Sequence, residues 1–106
     1  MRRKSTIFFV LSVGMLAACA QPVSKTPLPV DGSRADGSVV LAFQHNPQIE
    51  IPQVDWDAAQ RNALSRCNAW GYRNANPFEG VQTTCQAANG YGCLQATTAR
   101  TYQCTN

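Results

Sequence analysis

The stretch D-W-D-A-A-Q-R-N-A-L-S-R-C-N-A-W-G, residues 55–71, decides how this chain folds. Trp56, Gln60, Ala63, Leu64, Cys67 and Trp70 recur at steps of three and four, the spacing of one helix face. Apart from Gln60 that face is apolar, while Arg61, Asn62, Ser65, Arg66 and Asn68 point elsewhere. Asp55 is a good N-cap, because its short side chain can accept from an orphaned amide of the first turn. Asp57 adds a carboxylate where the helix dipole favours one. Gly71 supplies the left-handed stop. The pattern predicts a helix over 55–70 that aims Cys67 at a core.

Upstream, Ser38 to Gln44 is β-branched and apolar and reads as a strand, with Val39, Leu41 and Phe43 on the core face. Gln48 to Ile51 alternates, but Pro47 and Pro52 bracket it, so it can be only a short edge piece. Downstream, Val81 to Ala88 and Cys93 to Cys104 flank Asn89-Gly90-Tyr91-Gly92, and Asn-Gly is a strong hairpin turn signal. Leu94, Ala96, Tyr102 and Cys104 share a parity in the last strand. The order is β-α-β-β, an α+β class of two layers with one helix on a small, mostly antiparallel sheet.

Such a domain has a thin core. Only eleven of the residues from Ser38 to Asn106 are Leu, Ile, Val or Phe. Small domains of this kind use disulfides, each contributing roughly 2–4 kcal/mol, and four cysteines lie in the segment. Cys93 and Cys104 sit at opposite ends of one strand, roughly 35 Å apart at 3.3 Å per residue. A bridge needs Cα atoms within about 7 Å, so these two cannot pair. Of the two pairings left, Cys67–Cys104 with Cys85–Cys93 is preferred, because the first staples helix to sheet and the second closes the hairpin end. Cys67–Cys93 with Cys85–Cys104 stays open.

The N-terminus is an address. Arg2, Arg3 and Lys4 precede an apolar run from Ile7 to Ala18. A basic start followed by a short apolar region is the secretory signal pattern, and the run falls short of the roughly 20 residues a membrane span needs. It ends in Leu16-Ala17-Ala18-Cys19, which looks like the bacterial lipobox. Residues 1–18 are expected to be the lipoprotein signal peptide and Cys19 the acylated new N-terminus. Several acyl chains make a firm anchor, since each buried CH₂ contributes about 0.8 kcal/mol. Ala20 and Gln21 follow Cys19 instead of the Asp usual in inner-membrane lipoproteins, which points to the outer membrane, facing the periplasm. Residues 19–37, with Pro22, Pro27, Pro29, Gly32 and Gly37, read as lipidated Cys and flexible tether. Asp31 to Gly37 reads as a capped turn at its end. The domain is then 38–106.

Charge excludes one class of partner. The formal charge is +3, but Arg2, Arg3 and Lys4 leave with the signal peptide. From Cys19 onward six basic side chains face six acidic ones, so nothing supports nucleic-acid binding. The cysteine spacings lack a C-x₂-C pair, so no metal is expected, and no cofactor either. His45 is the only histidine and builds no triad. Glu50, Asp55, Asp57 and Glu79 could offer paired carboxylates, but Asp55 and Asp57 are explained by the helix start. The expectation is a protein that is not an enzyme. Phe78 and Tyr91, in a loop and at a hairpin tip, are the candidate binding residues, because exposed aromatics serve recognition.

Five segments together carry a resemblance: the lipobox, Gly32-Ser-Arg-Ala-Asp-Gly37 before a strand, Arg66-Cys-x-Ala-Trp-Gly-Tyr72, Gly90-Tyr-Gly-Cys93 and Tyr102-Gln-Cys104. The chain resembles the YecR-like family of small bacterial lipoproteins. The resemblance implies lipidation and one compact disulfide domain, and it loosely suggests an envelope or flagellar context through the family's association with motile Gram-negative bacteria. It carries over no catalytic residue. The expected function is an outer-membrane-anchored lipoprotein with a non-enzymatic domain, held to the membrane by its lipid and binding an unknown envelope protein in an accessory role. The alternatives are an inhibitor of a periplasmic or host hydrolase, presenting the loop from Asn74 to Gly80, and a glycan or peptidoglycan-binding module.

Overall fold

The computed structural model describes residues 20–106. The signal segment and Cys19, on which the export and acylation expectations fall, lie outside the described residues. The elements run β1 (Gln21–Lys25), β2 (Leu28–Ser33), β3 (Ser38–His45), β4 (Glu50–Val54), α1 (Trp56–Ala69), β5 (Asn74–Pro77), β6 (Gln82–Asn89) and β7 (Gly92–Thr105). The result is an α+β domain with one helix on a mostly antiparallel, five-stranded sheet.

The helix forms where its sequence asks for it. Asp55 caps it, its carboxylate accepting from the Ala58 amide at 2.9 Å. Ala59, Ala63 and Cys67 are fully buried, and Trp56, Leu64 and Trp70 pack at the margins of the same cluster. Small residues along the centre of the stripe let α1 lie close to the sheet. Gly71 takes φ +94°, the left-handed turn that stops the helix.

The sheet has the order β2-β3-β7-β5, and β6 pairs with the same edge of β7 as β5 does. The chain from 74 to 89 thus runs as one interrupted strand along β7, with 78–81 as the break. Val39, Leu41, Tyr102 and Cys104 face α1 and form the core with it. Arg100 lies on this face too, its guanidinium 5.2 Å from the Trp56 ring centre and 5.9 Å from that of Tyr102.

Three strands correct the reading of the sequence. The expected flexible tether is folded: β1 pairs in parallel with β4, and β2 pairs with β3 through a bulge between Pro29 and Asp31. Two of the prolines that suggested a linker, Pro22 and Pro29, sit in edge strands, where a missing amide costs no ladder bond. Pro27, between β1 and β2, is fully buried, and its carbonyl accepts from the Asn62 side chain of α1 at 3.1 Å. Likewise, Asn74 to Pro77 is not a projecting loop but β5, paired with Tyr102 to Thr105. Asp31 to Gly37 ends β2 and turns into β3. The Ser33 hydroxyl accepts from the Asp36 amide at 3.3 Å, and Gly37 takes φ +68°.

Candidate functional site

The four described cysteines form two bridges, Cys67–Cys104 and Cys85–Cys93. The first is in the core and joins helix to sheet. The second ties β6 to the start of β7 in an exposed hairpin.

The titratable side chains do not converge. Asp55 is committed to the helix cap and Asp57 to the first turn. Glu50 accepts from the Asn46 amide at 2.9 Å and pairs with Lys25 at 3.3 Å. That backbone hydrogen bond, more than the lysine, holds its carboxyl below the ordinary glutamate value. Glu79 is exposed in the 78–81 break. His45 stands beside Phe43, ring centres 5.7 Å apart. Burial raises the Tyr102 hydroxyl above its ordinary value. Among the described residues no three His, Cys, Asp or Glu side chains gather.

What does converge is apolar surface on the sheet face opposite α1. Val40 and Ala42 of β3 lie beside Thr101 and Ala99 of β7 in register. Around them stand Leu28, Val30, Phe78 and Val81, between 42% and 62% exposed. Two adjoining shallow depressions occupy the face, of about 350 Å³ near Phe78 and about 430 Å³ near Leu28. Of the residues lining them only Glu79 is charged.

Phe78 belongs to this face, since its amide donates to the Thr101 carbonyl at 2.8 Å. Tyr91 does not. It sits at the β6–β7 tip, 90% exposed, ten positions along the chain from Thr101, or about 33 Å in an extended strand. The two candidate binding residues therefore belong to different regions, not to one face. Leu28, Val30 and Val40 were missed as surface residues. One sequence signal marked Val40: Val39 to Phe43 is apolar at both parities, the pattern of a strand covered on both sides.

These features define a small, disulfide-stapled domain with one sheet face covered by its helix and the other open. The model of the family described as YecR-like lipoprotein matches residues 26–105, and the chain belongs to that family. It is thus a lipoprotein, and the family implies anchoring to a membrane by a lipid. Among curated proteins none matches the chain.

Proposed function

We propose that this is an outer-membrane lipoprotein, acylated at Cys19, whose non-enzymatic domain faces the periplasm and binds an envelope protein through the helix-free face of its sheet. The observation that carries this reading is the mismatch on β3. Its sequence is apolar on both faces, yet α1 packs only on the face with Val39 and Leu41, while on the other face Ala42 is buried under its neighbours and Val40 is only half-buried. Val40 and the rim of Leu28, Val30, Phe78 and Val81 around it are left for a partner. Depletion of charge at the centre with an aromatic at the edge is the composition of a protein–protein interface. The inhibitor reading loses part of its support, because Asn74 to Pro77 of the candidate segment 74–80 is paired with β7 and leaves only Phe78 to Gly80 outside a strand.

The test is crosslinking in native envelopes, comparing the wild type with a Leu28→Ser, Phe78→Ala variant. Removing two anchors from such a patch costs a partner about 1–2 kcal/mol each or more, so the main adduct should fade while the domain's melt stays close to wild type. An unchanged set of adducts sinks the proposal. Loss of sedimentation with purified sacculi in the same variant would replace the protein partner with a glycan.

A further inference from the structure

Three segments far apart in sequence meet at one end of the domain. The turn 46–49 closes on itself, with the Asn46 carbonyl accepting from the amides of Ile49 and Glu50. The start of β1 is bound to it, the Gln21 amide donating to the Ile49 carbonyl at 3.0 Å. The β6–β7 tip is bound to it as well, the Gln48 side chain donating to the Asn89 carboxamide oxygen at 3.0 Å. That same oxygen accepts from the Tyr91 amide at 2.8 Å. The first described residues, Ile49 and Tyr91 are therefore parts of one hydrogen-bonded end.

This end carries unusual surface. Tyr91 is 90% and Ile49 54% exposed, and Ile51 follows at 47%. Residues 46–49 and 89–92 contain no Asp, Glu, Lys or Arg. The one carboxylate at the turn, Glu50, is paired with Lys25 at 3.3 Å, and the unpaired charges lie elsewhere. At the opposite end of β3, the β2–β3 turn region holds Asp31, Arg34 and Asp36.

Chain length then limits where this end can be. Only Ala20 separates Cys19 from β1, so Cys19 is at most about 7 Å from Gln21. The headgroup layer on each side of a bilayer is itself about 5–7 Å thick. A folded end so short a reach from the acyl chains has to sit in or on that layer. An aromatic ring with a polar tip is the side chain favoured at such a boundary, and an end whose one carboxylate is matched by Lys25 carries no net charge to be repelled by anionic headgroups.

We propose that the end formed by the 46–49 turn and the β6–β7 tip lies in the phospholipid headgroup layer, with Ile49 and Tyr91 as interfacial anchors. The domain is thereby held in one orientation, with the β2–β3 turn directed away from the lipid. This rests on the reading that Cys19 carries the lipid.

The experiment uses the mature, acylated chain in nanodiscs of phosphatidylethanolamine and phosphatidylglycerol, with a trace of lipid bearing a gadolinium chelate. Intact mass comes first: a chain without an acyl adduct overturns the lipid reading and this orientation with it. In the acylated chain, the amides of Gln48, Ile49, Gly90 and Tyr91 should lose intensity, while those of Arg34, Ala35 and Asp36 keep theirs. In an Ile49→Ser, Tyr91→Ser variant the tip should regain intensity while Gln21, still tethered, does not. Equal losses at both ends of an acylated chain would overturn the orientation and leave lipidation standing. A double variant whose tip stays as quenched as the wild type would overturn the anchoring role of the two side chains.

Discussion

Strand β7 passes through two regions held together by different means. Its C-terminal half, paired with β5 and β3, places Tyr102 and Cys104 against α1, and the Cys67–Cys104 bridge is closed inside that core. Its N-terminal half pairs with β6, every residue of which is exposed. There the Cys85–Cys93 bridge substitutes for a core instead of reinforcing one. The core bridge spans 37 residues of sequence and the hairpin bridge eight. The same bond thus acts on the whole domain in one place and on a single hairpin in the other. A domain poor in large aliphatic residues can keep an exposed arm ordered only by closing it covalently.

Removing the core bridge should give the largest effect. A closed loop of 37 residues corresponds to about 4 kcal/mol of lost closure entropy in the chain-entropy account. A Cys67→Ser, Cys104→Ser variant also leaves hydroxyls where the cysteines are 0% and 3% exposed, adding a desolvation cost of about 1–3 kcal/mol per unpaired group. The near-ultraviolet signal of Trp56, Trp70 and Tyr102 should lose its cooperative thermal transition. A melt within a few degrees of wild type would show that the two bridges do not differ in kind.

The comparison also explains which parts were legible in the sequence. The core half was legible because it is periodic: the steps from Trp56 to Trp70, the Asp55 cap and the Val39-Leu41-Phe43 face each imply burial in one direction. Strand length excluded a Cys93–Cys104 bridge, and β7 does extend from Gly92 to Thr105. What escaped was edge structure. β1, β2 and β5 hold Pro22, Pro29 and Pro77; they bury little of their own and owe their order to a neighbour's backbone. Nothing local distinguishes such a strand from a linker. For the same reason the surface of Leu28 and Val30 was hidden inside an expected tether. Phe78 and Tyr91 were legible as exposed aromatics, but their separation depended on β5 and β6 lying in tandem along β7.

Opening the hairpin bridge should cost less and act locally. A loop of eight residues corresponds to about 2.5 kcal/mol, an upper value here because the hairpin is also registered by its Asn89–Gly92 turn and the Thr83–Thr98 hydroxyl contact at 3.0 Å. In a Cys85→Ser, Cys93→Ser variant, amide exchange should speed up from Thr83 to Tyr91. Leu41, Cys67 and Tyr102 should keep their protection, since local opening is independent of global unfolding. Uniform loss of protection across β3 and α1 would mean that the hairpin is part of the core's cooperative unit and would erase the contrast between the two halves of β7.

The β1–β4 ribbon has neither a core nor a bridge and should respond to the mildest perturbation. Its strands are joined by backbone pairing and by one ion pair, Lys25 with Glu50. The Asn46 amide and, second to it, Lys25 favour the charged form of Glu50, so its carboxyl titrates lower in the fold than in the unfolded chain. A group shifted in that direction stabilises the fold above its unfolded value, and the contribution is lost as pH falls through the lowered folded value. Acid should therefore loosen the 46–50 turn and β1 while the disulfide-closed regions hold. Because this carboxylate is solvated, the expected readout is a local shift, not a change in global melting. Amide resonances of Gln21, Asn46 and Glu50 should move together with the Glu50 side chain, and Glu50→Gln should remove that joint movement. If these amides titrate identically in the Gln variant, the ribbon is held by its backbone ladder alone, and the turn that ties the start of β1 to the β6–β7 tip does not depend on its carboxylate.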